Sequence, residues 1–307
     1  MGRSAGSRKS GSIIVAASAA AALACACGGL LFALDWPVSS PRLVATFGTP
    51  AKGRFIAGAV VAGADPLVRA AAEGELVFWL DEDGRQGVRS GGLLPSALGS
   101  CAVVEHPRGL VAVYARLEPG SVSSYLVAFK AGTILGKAGS SGWAEGPGLL
   151  LQVFDRREGV WVNPLLLLPS LVDTKAPLLP SMALVRGGRS YVLGQTASLP
   201  QGTYEVAVEV SDPQDAPWTL GPPVPYSIRL SLDGAEIARD LFDVAAGKGG
   251  KLTLFPHRKR SFAELRRPDG RFVLAERLLA RGRALFEVVA EDAAGNRRAA
   301  SWSVVVE

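Results

Sequence analysis

Residues 101–164 read CAVVEHPRGLVAVYARLEPGSVSSYLVAFKAGTILGKAGSSGWAEGPGLLLQVFDRREGVWVNP, and the rest of the chain can be placed by working outward from them. A short apolar strand beginning at Cys101 meets the turn His106-Pro107-Arg108-Gly109, and a second strand follows to Leu117. Next come Lys130 to Gly139 (KAGTILGKAG) and Ser141 to Pro147 (SGWAEGP), then an apolar run that closes on Val162-Asn163-Pro164. Apolar residues at every second position, broken by Gly turns, are the pattern of consecutive short antiparallel strands.

Composition sets the outer limits. The 307 residues allow about two domains plus extras, at roughly 100–200 residues per domain. With 48% hydrophobic and 20% charged residues, 36 Gly and 20 Pro, the chain is too apolar to be disordered and suits short strands with many turns. A net charge of +5 without interleaved aromatic and basic residues argues against nucleic acid as a partner. Cys25 and Cys27 lie in an N-terminal apolar run, which leaves Cys101 alone and excludes a disulfide framework. Cys101 reads as a small buried hydrophobe at a strand start. His106 and His257 are the only histidines, which narrows the available chemistry.

Two segments of the opening stretch, Tyr114-Ala115-Arg116-Leu117 and Gly146-Pro147-Gly148-Leu149-Leu150-Leu151-Gln152, carry a resemblance. Their order and spacing resemble the β-rich core of the lysostaphin/LytM-type zinc metallopeptidases (duplicated hybrid motif), which cut peptide cross-links in bacterial cell walls. There the segments read Tyr-Ala-His-Leu and Gly-Pro-His-Leu-His-Phe-Glu. Upstream, Phe47-Gly48 is similar to that domain's opening, and residues 54–61 (RFIAGAVV) to its Phe-His-x-Gly-x-Asp-Ile segment. Val68-Arg69-Ala70 matches its Pro-Val-x-Ala strand, and residues 73–77 (EGELV) the Asp-Gly-x-Val turn.

The resemblance implies where a metal would sit. A catalytic zinc takes three protein ligands and keeps an open position for water. Carried over, the ligand places fall on Ile56, Val60 and Leu150, and two assisting histidine places fall on Arg116 and Gly148. Ile, Val and Leu offer no lone pair, Gly148 has no side chain, and Arg116 is a permanent cation that repels zinc. The expectation is therefore no metal, no cofactor and no catalytic residue, with the pocket filled in as core. Arg116 is the one candidate binding residue, by pairing a peptide carboxylate. His106 matches a family histidine that is not a zinc ligand and reads as a turn residue, and His257 reads as solvated.

Other constellations read as structure. Ser140-Ser141-Gly142 is a turn rather than a nucleophile elbow. Gly136-Lys137-Ala138-Gly139 lacks the spacing of a phosphate loop. Asp292 to Asn296 reads as an Asx turn before it reads as a calcium loop.

At the N-terminus, Arg3, Arg8 and Lys9 precede an uncharged apolar run from Ile13 to Leu34, long enough to cross a bilayer with its basic end cytoplasmic. Three readings stay open: an uncleaved anchor, a cleaved signal peptide, and lipidation at Cys25. Each places the folded part outside the cytoplasmic membrane. Asp35 to Arg42 reads as a linker, and residues 81–100 as a polar surface loop.

Asp173-Thr174-Lys175-Ala176-Pro177 reads as a second linker and resembles the opening of bacterial immunoglobulin-like modules. Residues 203–211 and 226–232 alternate as half-buried strands, and Asp233-Gly234 is a hairpin turn. Residues 286–291 and 301–306 add two strands around Asp292-Ala293-Ala294-Gly295-Asn296. A helix is considered only for 261–281. Lys and Arg outnumber Glu264, Asp269 and Glu276 between His257 and Arg283, a possible surface for anionic lipid or wall polymer.

The expected molecule is mostly β: a leader in residues 1–36, a degenerate LytM-type antiparallel domain at 43–170, and an immunoglobulin-like β-sandwich at 173–307. The leader is its N-terminal hydrophobic helix. The expected function is non-catalytic work in the cell envelope, binding peptidoglycan or recruiting a cell-wall amidase or division protein, with residues 13–34 at the cytoplasmic membrane. The alternatives are a residual zinc-dependent peptidoglycan endopeptidase and a purely structural envelope module.

Overall fold

A computed structural model describes residues 34–51, 54–82, 96–123, 125–213, 223–248, 251–254 and 264–307. In its first half the strands are β1 (Arg42–Ala45), β2 (Pro50–Ala51), β3 (Arg54–Phe55), β4 (Ala59–Ala62), β5 (Leu67–Arg69), β6 (Gly74–Leu80), β7 (Ser100–Glu105), β8 (Leu110–Leu117), β9 (Ala128–Phe129), β10 (Ile134–Lys137), β11 (Leu149–Asp155) and β12 (Val160–Val162). The second half supplies β13 (Leu178–Arg186), β14 (Arg189–Val192), β15 (Ser198–Leu199), β16 (Gly202–Ser211), β17 (Ser227–Leu232), β18 (Ala235–Leu241), β19 (Val244–Lys248), β20 (Lys251–Leu254), β21 (Phe272–Leu279), β22 (Gly282–Glu291) and β23 (Arg297–Val306). The protein is mostly β. Among the described residues no helix is long and apolar enough to cross a membrane, and the expected span 13–34 lies outside them except for Leu34.

The main sheet runs β20-β19-β12-β11-β8-β7-β6-β9, with β4 joined to β11 and β1 joined to β4. Both of its faces are apolar. On one face Ala59, Val61, Ala102, Val104, Ala112, Tyr114, Leu149, Leu151 and Val153 build a large core with Leu34, Val38 and Leu135. Side chains alternate across a strand, so Val60, Cys101, Val113, Ala115 and Leu150 fall on the other face. They form a second, smaller cluster with Ala45 and Ile56.

In the second half β14-β13-β16-β21 and β15-β23-β22-β17-β18 form two sheets over one core. Ala284, Phe286, Val288 and Ala290 show the inward period of two along β22. Asp233 and Gly234, at φ +50° and +81°, make the β17–β18 turn, where Asp-Gly tolerates two positive φ values in succession.

The halves share pairing and core. The hairpin β19–β20 leaves the second half and extends the main sheet, Val244 opposite Val162 and Ala245 opposite Trp161. The Asn163 side chain donates to the Phe242 carbonyl at 2.8 Å and accepts from the Leu165 amide at 3.1 Å. Thr46 bonds the backbone of Val224 through its hydroxyl, and Phe47 and Ala57 sit in the core of the second half.

Two expectations change. Residues 35–42 are not a free linker: Trp36 Nε1 donates to the Pro169 carbonyl at 2.8 Å, Val38 is buried, and Asp35 N donates to Ala71 O at 2.7 Å. The helix considered for 261–281 is overturned over Phe272–Leu279, which is the edge strand β21. Val206 and Ala207 face Ala275 and Val273, so Leu274 is bulged out of register and the alternation is broken at that point. Four consecutive buried residues, Phe272 to Ala275, then lack the period of two by which a strand is read.

A buried relay fixes the β7–β8 turn. The Ala71 amide donates to the Tyr114 hydroxyl at 2.9 Å, and Tyr114 lies 3.1 Å from His106 Nε2. His106 Nδ1 is 2.8 Å from the Glu73 carbonyl, which can only accept, so Nδ1 carries the proton and Nε2 accepts from Tyr114. Burial pulls His106 below its ordinary 6.5, and the Glu73 bond works weakly the other way. The fold thus holds the neutral ring, while the unfolded chain protonates first as pH falls. Stability against denaturant is expected to be level above pH 6.5 and to decline below it. Tyr114→Phe leaves two buried groups without partners and is expected to cost about 1–3 kcal/mol by urea unfolding at neutral pH.

Candidate functional site

The sequence singled out Ile56, Val60, Arg116, Gly148 and Leu150, and the fold brings the three apolar ones into one cluster. Leu150 on β11 lies opposite Val60 on β4 and, on its other side, opposite Ala115 on β8. The row Val60–Leu150–Ala115 therefore crosses three hydrogen-bonded strands on a single face. Val60 is 0% exposed, and Ile56 and Leu150 are each 7% exposed. Val44, Leu80, Leu98, Val103 and Trp161 pack around them.

No donor in this cluster suits a metal. Among its buried members the one heteroatom-bearing side chain is Cys101, whose thiol burial pushes up to about 11, well away from the thiolate that binds zinc; the indole N–H of Trp161 is a donor only. Gly148, at φ +146°, lies against the row: a Cβ built there would stand 3.1 Å from Val60 Cγ1. A side chain at 148 would meet both an unfavourable backbone and a filled space. The residues present do not fit the zinc that the family resemblance implies.

Arg116 is the exception to the apolar character. It follows Ala115 at the end of β8 with φ +65°, a left-handed conformation costly for a residue with a Cβ. Two bonds hold it there: its amide donates to Leu98 O at 2.8 Å, and its carbonyl accepts from Gly139 N at 2.9 Å. The residue is 6% exposed, and among the described residues Nε and Nη1 have no hydrogen-bond partner. Burial works against the guanidinium charge, and the charge of Glu145, exposed on the loop between β10 and β11, favours it.

The remaining candidates are structural. Both His106 nitrogens are committed to Glu73 and Tyr114, away from the row. His257 lies outside the described residues. Ser141 Oγ accepts from Ser100 N at 3.0 Å and donates to Leu117 O at 2.7 Å, tying the loop to β7 and β8. Gly136 and Lys137 belong to β10, paired with β5, so no phosphate loop exists there. In the basic segment, Arg267 pairs with Glu205 and Arg271 with Asp269, which offsets part of the excess charge.

One grouping was not foreseen. Asp292 Oδ1 accepts from the amides of Ala294 and Asn296, an Asx turn, and Asp173 and Asp212 bring their carboxylates to within 4.8 Å of it. The turn was legible; the approach of Asp173 and Asp212 was not, since it depends on strands far apart in sequence.

A protein-family model matches residues 176–307, from the residue before Pro177 to the C-terminus. An uncharacterized protein of Treponema pallidum (strain Nichols) is 33% identical over 126 residues, covering 38% of this chain and 82% of that protein. The chain belongs to the family of this treponemal protein. Among solved structures, one from Pseudomonas aeruginosa assigned to peptidase M23 gives a TM-score of 0.30 at 22% identity, over 44% of this chain and 51% of that one, about half its length. The solution structure of lysostaphin gives 0.34 at 13% identity, over 82% and 94%.

In this member of the treponemal family, rebuilding a ligand set should damage the core. Val60→Asp alone places a charge at a fully buried position and is expected to cost roughly 3–5 kcal/mol. The triple change Ile56→His, Val60→Asp, Leu150→His should cost more, with no recovery on adding zinc, as followed by denaturant unfolding. Zinc-dependent return to wild-type stability would mean that this face is a pocket and not a core.

Proposed function

We propose that this is a non-catalytic cell-envelope protein, a pseudo-peptidase that binds peptidoglycan or recruits and activates a cell-wall hydrolase. Residues 43–170 act as a degenerate LytM-type domain and residues 173–307 as an immunoglobulin-like module. The apolar run 13–34 holds the protein at the cytoplasmic membrane or directs it across, so the folded part works outside the cytoplasm.

The observation that carries the reading is the apolar row. Two segments spaced like the family's catalytic strands are direct neighbours, with Leu150 opposite Ala115, yet the places for metal ligands hold Ile56, Val60 and Leu150. Replacing one ligand would weaken a site; replacing all three with side chains that pack together replaces coordination by core. The immunoglobulin-like reading draws support from Tyr204, whose hydroxyl donates to the Pro200 carbonyl four residues upstream, in the manner of a tyrosine corner.

The test combines metal analysis with wall binding on the folded part of the chain. Purified protein is expected to contain no stoichiometric zinc, to release no peptides from sacculi, and to co-sediment with sacculi or retain a wall amidase. Zinc-dependent peptide release would establish the enzyme instead. Co-sedimentation with neither sacculi nor amidase would leave a structural module.

A further inference from the structure

Arg116 combines features that the fold alone does not account for. A guanidinium keeps its charge at any physiological pH and needs acceptors for its N–H groups. Here it is buried, with Nε and Nη1 unpartnered among the described residues, on a left-handed backbone that is itself unfavourable. A buried charge without a hydrogen-bonded counter-ion destabilises a fold, whereas an apolar residue of similar size would not. Ala115, next to it in the chain, and Leu150 opposite Ala115 are apolar. A cation kept there calls for a hydrogen-bonded anion, and among the described residues Nε and Nη1 meet none.

The loop that begins at Gly139, bonded to the Arg116 carbonyl, has few backbone anchors. Gly139 N is held by Arg116 O, Trp143 N by Ala97 O, and Gly148 N by Gly139 O. Between these anchors, residues 144–147 make no backbone hydrogen bond among the described residues, and they include Glu145. Glu145 is exposed and acts on Arg116 only through space. The Glu145 carboxylate is thus a counter-charge to the guanidinium and not a bonded partner.

We propose that Arg116 is a receptor for the free carboxylate of a peptide chain end, and that Glu145 competes with that carboxylate for the guanidinium. A recessed guanidinium favours a slim chain terminus over a side chain on a folded surface. Its planar donor fork matches a carboxylate. The inference rests on the wall-binding reading and names the group recognised: the terminal carboxylate of a wall peptide.

The experiment measures binding of N-acetyl-dialanine, with a free carboxylate, against its carboxamide by calorimetry and thermal shift. Wild-type protein should bind the carboxylate at least about tenfold more tightly, as expected when charge-assisted hydrogen bonds are lost. Glu145→Gln should tighten carboxylate binding by removing the competitor. Arg116→Gln should erase the preference while leaving the ligand-free melting temperature unchanged or higher. Equal binding of both probes, no binding of either, no gain with Glu145→Gln, or a large loss of stability in Arg116→Gln would each overturn the proposal. Sacculus binding that persists in Arg116→Gln would remove this receptor and leave the wall-binding reading intact. Carboxylate preference without sacculus binding would keep the receptor and remove the wall as its source.

Discussion

The contact on which the rest depends is the row Val60–Leu150–Ala115, where one side chain from each of three adjacent strands meets on the outer face of the main sheet. Neighbouring residues on those strands, Val61, Leu149, Leu151 and Tyr114, fill the opposite face. A sheet buried on both sides cannot slip by a residue without exchanging its two cores, so the register of β4, β11 and β8 is strongly fixed. This geometry aims methyl groups at one another. Burial of a Val or Leu side chain contributes roughly 1.5–3 kcal/mol, so a filled face stabilises the sheet that an open metal site would have left wet.

Polar groups are treated differently in the two layers. In the large core they are closed into complete sets, as in the Ala71–Tyr114–His106–Glu73 relay, where each donor meets an acceptor. Around the smaller cluster the accounting is open at Arg116. Satisfied networks rigidify a fold, and an unpaired buried polar group is costly to it. That contrast separates a histidine with both ring nitrogens bonded from an arginine with two unbonded nitrogens, in a chain where both are buried.

Much of the fold was legible because β structure writes a local code. Gly and Pro punctuation located the turns, Asp233-Gly234 marked its hairpin, and the alternation of residues 203–211 marked β16. The segment at Phe272 was misleading because a bulge at Leu274 breaks the alternation that identifies a strand. Residues 35–42 looked like a linker because Pro-rich composition describes the backbone; it does not reveal that Trp36 and Val38 have a core to enter.

By itself the sequence determined what three positions cannot do: side chains without lone pairs stand at Ile56, Val60 and Leu150, and no packing can give them any. It also determined the strand-and-turn alphabet, since period and turn propensity are properties of neighbouring residues. Only the tertiary structure decided that those three side chains touch, that the Arg116 guanidinium is buried with Nε and Nη1 unbonded among the described residues, that hairpin β19–β20 extends the sheet of the first half, and that Asp173 and Asp212 approach Asp292. The reason is that pairing between distant strands and the desolvation of a charge depend on what the rest of the chain brings alongside, and no local pattern records that.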